Sequence, residues 1–247
     1  MNGTPSVSVQ RKHGVRTTIS SPLLSVVMPV YNERDTIEGM IARVLAVPNL
    51  RIELVVVDDG SKDGTSDILR GLQSRYPFKL FQKPNGGKGS ALRLGFKEVT
   101  GDLVVIQDAD TEYSPEELPE LIELICQGRA DVVYGSRFLG RHRVFLFTHY
   151  LGNLFLTFLT NVLYNTMLTD METCYKAMRI EVLRSFALDS DGFGIEPEMT
   201  AKIFKRGYRV YEVPITYDGR GYEEGKKITW RDGVVALWVL LKYRFTE

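Results

Sequence analysis

Short runs of aliphatic and β-branched residues alternate in this chain with longer segments that have the apolar spacing of a helix, and this alternation constrains the fold most strongly. The apolar runs, from residue 23 onward, read LLSVVMPV, IELVVVDDG, FKLFQ, GDLVVIQDAD and ADVVYGS. Between them, apolar residues recur with helical spacing in residues 36–47, 65–75, 89–99 and 115–127. Because strands that alternate with helices form crossover units, we predict an α/β fold in which a mostly parallel sheet carries helices on both faces.

Composition limits the functions that such a domain can have. The chain has 247 residues, 44% of them hydrophobic, which is enough for one large domain with a real core. It has 31 Lys and Arg residues against 31 Asp and Glu residues, so no overall field attracts nucleic acid and we predict no nucleic-acid partner. Cys126 and Cys174 are too few for a disulfide scaffold or a Cys-rich zinc site. With no secretory-signal pattern, we expect a cytoplasmic protein.

Composition and the spacing of apolar residues divide the chain into three regions. Residues 1–22 contain no acid and many Ser and Thr residues, and we predict a flexible N-terminal arm there. Residues 23–228 hold the α/β domain, and residues 229–247 form an amphipathic C-terminal helix.

Residues 144–169 contain no Asp, Glu, Lys or Arg, and Asn and Thr recur along them at four-residue spacing. We predict an amphipathic helix that lies at an interface or against protein, because its Asn residues disfavour a helix surrounded by lipid. Cations stand just before it at Arg137, Arg141 and Arg143, where they could meet anionic lipid or phosphate. We therefore expect peripheral attachment to the membrane surface, with packing in the core or in a homo-oligomer as the alternative.

Polar residues follow each of the five apolar runs. They are the segments 29–33 (PVYNE), 58–61 (DDGS), 85–89 (NGGKG), 108–110 (DAD) and 135–137 (GSR). The carboxyl ends of parallel strands meet at one edge of the sheet, where the ligand crevice of such folds lies. The sequence therefore predicts one site built from five strand ends.

Two of these segments suggest phosphate and metal chemistry. The turn at residues 86–90 matches neither a P-loop nor a dinucleotide-binding motif, yet a Gly-rich turn that enters a helix can offer backbone NH groups, with Lys88 beside them. An ordinary strand-to-helix turn explains it equally well. Asp108 and Asp110, with Glu112 two residues further on, offer the carboxylate oxygens that Mg²⁺ and Mn²⁺ prefer. A solvated acidic loop is the alternative.

Taken together, the five segments resemble in order and spacing the family 2 glycosyltransferases, which have the GT-A fold. The branch that they resemble most is that of the dolichyl-phosphate mannose synthases and polyprenyl-phosphate hexosyltransferases. Residues 170–176, 193–198 and 207–215 resemble this branch as well, so the resemblance covers residues 23–230. It implies a Rossmann-like GT-A sheet and a metal-dependent hexosyltransferase that uses a nucleotide-diphosphate sugar donor and a polyprenyl phosphate acceptor.

The same resemblance implies roles for particular residues. The contacts to the nucleobase and ribose would be Pro29, Tyr31, Glu33, Val57 and Asp59, with Lys88 near the nucleotide. The residues that reach the diphosphate and a Mg²⁺ or Mn²⁺ ion would be Asp108, Ala109 and Asp110, with Glu112 where the branch often has Gln as a metal ligand. The basic residues around the donor and acceptor phosphates would be Arg137, Arg220 and Lys226.

The charge of the acceptor determines the expected mechanism. A lipid phosphate is already anionic and can attack the sugar without a general base, while the metal and the basic residues offset its repulsion from the donor diphosphate. We predict inverting transfer from a donor of the GDP-mannose or UDP-glucose type to a polyprenyl or dolichyl phosphate. One alternative is a transferase of the same fold with a soluble or polysaccharide hydroxyl acceptor, for which Asp170 could act as base. The other is a non-catalytic nucleotide-sugar-binding protein.

Overall fold

A seven-stranded sheet forms the centre of the protein, which we describe from a computed structural model for residues 17–144, 146–220 and 229–246. The strands are β1 Leu23–Val30, β2 Arg51–Asp58, β3 Lys79–Gln82, β4 Leu103–Ile106, β5 Val132–Ser136, β6 Lys176–Arg179 and β7 Val210–Pro214. Their order in the sheet is β3-β2-β1-β4-β6-β5-β7, and β6 is antiparallel to its two neighbours while the other pairs are parallel. The predicted α/β class with a mostly parallel sheet is confirmed.

Eight α-helices pack around this sheet in the described part of the chain. They are α1 Ile37–Leu45, α2 Thr65–Leu72, α3 Lys88–Glu98, α4 Leu118–Cys126, α5 Phe147–Tyr164, α6 Ile180–Leu183, α7 Ile195–Lys205 and α8 Trp230–Phe245. A 3₁₀ turn at Pro115–Glu117 leads into α4. The helices expected in residues 36–47, 65–75, 89–99 and 115–127 are all present at those places.

The central strands are buried on both faces. Val26 and Val27 on β1, Val55 and Val56 on β2 and Val105 on β4 are fully inaccessible to solvent. Consecutive residues of a strand point to opposite faces, so helices must cover both sides of the sheet. The hydrogen bonds of the sheet satisfy the buried NH and carbonyl groups of the strand backbones. Polar side chains available for chemistry therefore lie at the strand ends.

Helix α5 turns its polar stripe toward the protein and its apolar face outward. Thr157 and Thr160 are buried, and the Asn161 side chain exchanges two hydrogen bonds of 2.8 Å with the backbone of Leu168. Phe155 and Phe158, on the other face, are 55% and 65% exposed. The helix begins at Phe147 instead of residue 144, and it ends at Tyr164 instead of residue 169 because Asn165 adopts a left-handed conformation with a φ of 50°.

Helix α8 lies against α5 and also exposes large apolar side chains. The Tyr164 hydroxyl of α5 donates to the Leu240 carbonyl oxygen of α8 at 2.8 Å, while Trp230 and Trp238 are 77% and 66% exposed. Within the described ranges, no helix is long and apolar enough to cross a membrane. Residues 1–16 of the N-terminal arm expected over residues 1–22 lie outside the described residues. In the described part of the arm, the Ile19 amide donates to the Cys126 carbonyl oxygen of α4 at 2.9 Å.

Candidate active site

A cavity of about 740 Å³, here called the main cavity, opens at the edge of the sheet where the parallel strands end. The predicted site residues that line it are Pro29, Tyr31, Glu33, Asp59, Lys88, Asp108, Ala109, Asp110, Glu112, Arg137 and Arg220. Val57 does not line it, because its side chain is fully buried within β2. Lys226 lies outside the described residues. The structure therefore brings residues from all five predicted strand ends to one place.

Arg220 lies among three carboxylates of this cavity. Its guanidinium is 2.7 Å from Asp110 Oδ2, 3.4 Å from Glu33 Oε1 and 3.6 Å from Glu112 Oε1. Its backbone amide also donates to Glu112 Oε1 at 2.8 Å. One basic side chain thus balances three acidic ones, which leaves this wall of the cavity with an excess of carboxylate groups.

Burial and this excess both act on the pKa of Asp110. Burial, then the charges of Asp108 and Glu112, raise the pKa of Asp110 to about 7, although Arg220 acts to lower it. A divalent cation would relieve this repulsion, and carboxylate oxygens are the ligands that Mg²⁺ and Mn²⁺ prefer, so the residues fit a metal of this kind.

The predicted metal ligands do not converge on one point in this conformation. Asp108 pairs with Lys88 at 2.9 Å, Asp110 pairs with Arg220, and Glu112 accepts a hydrogen bond of 2.9 Å from the Tyr217 hydroxyl. Over the described parts of the chain, no group of three His, Cys, Asp or Glu side chains is arranged around a metal position. Each of the three carboxylates is held by a basic or hydroxyl side chain of the protein, and Arg220 is shared by Asp110 and Glu112.

Lys88 connects the first acidic residue after β4 to α7. Its Nζ contacts Asp108 Oδ1 at 2.9 Å and Glu196 Oε1 at 2.8 Å. Burial lowers the pKa of Lys88, but the charges of Asp108 and Glu196 outweigh it and hold the pKa well above its usual value. Lys88 therefore stays positive inside the cavity, as its expected place near an anionic nucleotide requires.

The Gly-rich turn before α3 has a different role from the one its sequence suggested. The amides of Gly86 and Gly87 donate to the two carboxylate oxygens of Asp59 at 2.9 and 2.7 Å, so they are not open to a phosphate here. Gly87 has a φ of +94°, and a Cβ there would lie 2.5 Å from the Asp191 carbonyl oxygen. Asp59 thus holds the turn in place, and the glycines allow the chain at residue 191 to approach.

Arg137 at the end of β5 is fixed by Asp170. Its Nε and Nη2 each donate to Asp170 at 2.7 Å, its backbone amide donates at 3.0 Å, and Asp170 is fully buried. A general base needs a carboxylate that faces the substrate, whereas both oxygens of Asp170 are committed to Arg137. This geometry counts against the hydroxyl-acceptor alternative that uses Asp170 as base.

Comparison with known proteins identifies the family. Residues 25–186 match the family model described as Glycosyl transferase family 2. The chain is a family 2 glycosyltransferase. This confirms the family that the five polar segments resemble.

Two relatives show where this glycosyltransferase lies in the family. It is 34% identical over 215 residues to a dolichol-phosphate mannosyltransferase of Pyrococcus furiosus, a match that covers 82% of this chain and 58% of that protein. It is 32% identical over 215 residues to an undecaprenyl-phosphate mannosyltransferase of Micrococcus luteus, covering 81% and 85%. The chain therefore spans less than two thirds of the Pyrococcus protein and most of the Micrococcus one.

Solved structures show the same fold. A glucosyl-3-phosphoglycerate synthase from Mycobacterium tuberculosis, in complex with Mn²⁺, uridine diphosphate and phosphoglyceric acid, superposes with a TM-score of 0.71 at 22% identity, covering 92% of this chain and 80% of that one. A complex of that synthase with Mg²⁺ and uridine diphosphate has a TM-score of 0.69 at 23% identity, covering 90% and 79%. The predicted GT-A fold of the glycosyltransferase is confirmed.

Two acidic residues that line the main cavity of the glycosyltransferase were not among the predicted site residues. They are Glu172, in the loop before β6, and Glu196, at the start of α7. Burial, then the charge of Glu196, raises the pKa of Glu172 to about 7. Both belong to segments that resemble the family, and that resemblance was the only signal that could have pointed to them.

Proposed function

We propose that this family 2 glycosyltransferase transfers a hexose, with inversion, from a nucleotide-diphosphate sugar of the GDP-mannose or UDP-glucose type to a polyprenyl or dolichyl phosphate. The observation that carries the proposal is the combination, in one cavity, of a carboxylate-rich wall at Asp108, Asp110 and Glu112 with the guanidinium groups of Arg137 and Arg220. The first suits a metal-bound diphosphate and the second suits anionic phosphates. The names of the two relatives, a dolichol-phosphate and an undecaprenyl-phosphate mannosyltransferase, support a polyprenyl phosphate acceptor and a hexosyl group.

The residues have distinct tasks in this proposal. The side chains that receive the nucleoside are Pro29, Tyr31, Glu33 and Asp59, and Lys88 faces the nucleotide. A Mg²⁺ or Mn²⁺ ion, held by Asp108 and Asp110 with Glu112 close by, would supply positive charge to the departing diphosphate. Arg220 is placed on the same wall to share that charge. Ala109 contributes its backbone, and Lys226 would add a further cation from outside the described residues.

Arg137 is the residue assigned to the acceptor phosphate. Asp170 fixes its guanidinium in a planar, bidentate pair, so little freedom is lost when an anion binds to it. In the reaction an oxygen of the lipid phosphate forms a bond to the anomeric carbon, while the bond from that carbon to the nucleoside diphosphate breaks. No proton has to be removed from the acceptor, which agrees with the absence of a role for Asp170 as base.

A second cavity supports a lipid acceptor. This side cavity, of about 780 Å³, runs beside α5 and shares Phe138 and Tyr150 with the main cavity. Its other lining is mostly apolar and includes Phe147, Leu154 and Phe158. We assign it to the first isoprenoid units of the acceptor, whose phosphate would then lie in the main cavity.

The outward apolar surface of α5 and α8 supports peripheral attachment at the cytoplasmic face of a membrane. We call it the apolar face, and its residues are Phe147, Leu151, Phe155, Phe158 and Val162 of α5 with Trp230, Val234, Trp238 and Phe245 of α8. Large apolar side chains exposed in this number on two packed helices indicate an interaction site. Arg141 and Arg143 are exposed just before α5, where they could meet anionic lipid.

A donor panel with an organic extraction tests the proposed reaction. Purified protein is mixed with Mn²⁺ or Mg²⁺, a short polyprenyl phosphate and radiolabelled GDP-mannose or UDP-glucose, and the label in the organic phase is counted. We expect one donor to label the lipid only when metal is present. Asp110→Asn should lower the yield by at least about 100-fold while the protein stays folded, and Asp67→Asn, an exposed carboxylate of α2, serves as the matched control.

Three results would contradict the proposal. The first is label in water-soluble acceptors without polyprenyl phosphate, which would favour the hydroxyl-acceptor alternative. The second is donor binding without any turnover, which would indicate a nucleotide-sugar-binding protein. The third is a normal yield from Asp110→Asn, which would remove the metal assignment.

A further inference from the structure

Two carboxyl groups in the main cavity each have one buried oxygen atom without a hydrogen-bond partner among the residues that the structure describes. Glu196 is 3% exposed, and its Oε1 pairs with Lys88 while its Oε2 is buried and unbonded. Glu172 has a buried and unbonded Oε1. Both side chains line the main cavity. Because buried polar atoms in folded proteins nearly always have a partner, these oxygens point to a ligand.

The Glu196 side chain lies close to Asp108, which is assigned to the donor diphosphate. Lys88 Nζ contacts both Asp108 and Glu196, so their carboxylates are only two hydrogen-bond lengths apart. Glu172 lines the same cavity as Glu196, and the charge of Glu196 acts to raise the pKa of Glu172, as expected of neighbouring carboxyl groups. A sugar attached to a diphosphate at Asp108 would therefore be within reach of both.

The chemistry of this pair restricts what can bind to it. A ligand must donate hydrogen bonds to the free oxygens and must carry no negative charge. The charges of Lys88 and Lys176 already act on Glu196, so a further cation is not needed there. Hydroxyl groups of a neutral sugar meet both requirements, and the Phe193 ring on the same cavity wall offers a surface for the apolar C–H groups of a pyranose.

We propose that Glu196 and Glu172 bind hydroxyl groups of the donor hexose and so contribute to the choice of sugar. This role rests on the function proposed above, because it requires a nucleotide sugar in the main cavity. Glu196 accepts through Oε2 while Lys88 holds its other oxygen, and Glu172 accepts through Oε1. A site that hydrogen-bonds particular hydroxyl groups discriminates against sugars that lack them or place them differently.

Binding measurements separate a sugar contact from a structural role. Isothermal titration with Mn²⁺ present compares GDP with GDP-mannose and UDP with UDP-glucose on the wild-type protein, and the pair that binds is then used on Glu196→Gln and Glu172→Gln. We expect the affinity for the nucleotide sugar to fall about 10-fold in each variant. The affinity for the nucleoside diphosphate alone should change less than about 2-fold, because it lacks the hexose.

Glu198→Gln is the matched control. Glu198 is fully buried on the same helix, but its two oxygens already accept from the amides of Asp189 and Ser190 at 2.9 and 2.8 Å. It should leave the ratio of the two affinities unchanged. Glu172→Gln keeps the Lys88 pair intact, so it tests the inference even where Glu196→Gln disturbs Lys88 or the fold.

The outcomes distinguish this inference from the function on which it rests. If both Gln variants weaken the nucleoside diphosphate and the nucleotide sugar equally, or leave the nucleotide sugar unaffected, the sugar contact is disproved and the proposed function stands. If the wild-type protein binds none of the four ligands, the proposed function itself fails.

Discussion

The Glu53 carboxylate on β2 links β1, β3 and the segment before β4 by hydrogen bonds, at the end of the sheet opposite the main cavity. It accepts hydrogen bonds from the Ser25 hydroxyl on β1, Lys79 Nζ on β3 and the amide and hydroxyl of Thr100 before β4. Burial raises the pKa of Glu53, but these hydrogen bonds outweigh it and lower the pKa to about 2. The charged carboxylate is therefore favoured by folding.

This shift predicts how stability depends on pH. The folded pKa is below the unfolded one, so the contribution of Glu53 is complete above the unfolded pKa of 4.5 and is lost as the pH falls toward about 2. We expect Glu53→Gln to lower the free energy of unfolding by about 1–2 kcal/mol at pH 7, a value reduced for partial solvent screening. Urea titrations at pH 7 and pH 3 measure it. A deficit that is as large at pH 3 as at pH 7 would refute the assignment.

Helix α5 marks the limit of what sequence periodicity can establish about an element. The four-residue spacing of Asn153, Thr157 and Asn161 correctly indicated a helix with one polar side. It could not indicate which side faces the protein, because periodicity divides a helix into two faces without orienting them. Burial of the polar stripe depends on long-range partners, such as the Thr157 hydroxyl that accepts from the Met171 amide at 3.1 Å.

We expect charged substitutions on the apolar face to weaken binding to membranes. Phe155→Glu combined with Trp238→Glu places one charge on each helix, at side chains that are 55% and 66% exposed. We expect binding to liposomes of mixed neutral and anionic phospholipid to fall at least about 10-fold, because two apolar side chains no longer leave water. Co-sedimentation measures this, and Tyr211→Glu, at an exposed residue of β7, is the control.

Two results would contradict membrane docking. One is a wild-type protein that stays in the supernatant with anionic liposomes, with and without lipid acceptor. The other is a wild-type dimer in sedimentation velocity that the double variant dissociates without any change in liposome binding. That second outcome would assign the apolar face to a second copy of the chain.

The polar edge of the sheet was predictable from the sequence, and the ion pairs above it were not. Buried strands and the polar residues after them are neighbours in sequence, so the convergence of five strand ends followed from the pattern alone. The partners of those residues are distant: Arg220 contacts Glu33 across 187 positions, and Lys88 reaches Glu196 on α7. Such pairs depend on how the second half of the chain folds over the sheet edge. The spacing of residues in the sequence gives no information about this long-range arrangement.

The antiparallel strand β6 was missed for a similar reason. Its residues, Lys176–Arg179, form a short run with charged ends, without the long apolar pattern of β1 or β2. The run is a strand because it pairs with both β4 and β5, which requires tertiary context. It also carries the chain from Glu172, at the main cavity, back across the sheet.

In the proposed reaction, Asp108 and Asp110 hold a divalent cation on which the donor diphosphate binds. A crystal structure of the protein soaked with Mn²⁺ and the donor that proves active tests it most directly, because manganese can be located by its anomalous scattering. We expect one manganese peak bonded to carboxylate oxygens of Asp108 and Asp110 and to the diphosphate, with the Arg220 guanidinium moved from Asp110. Both carboxylates still paired with Lys88 and Arg220, with manganese elsewhere or absent, would contradict it.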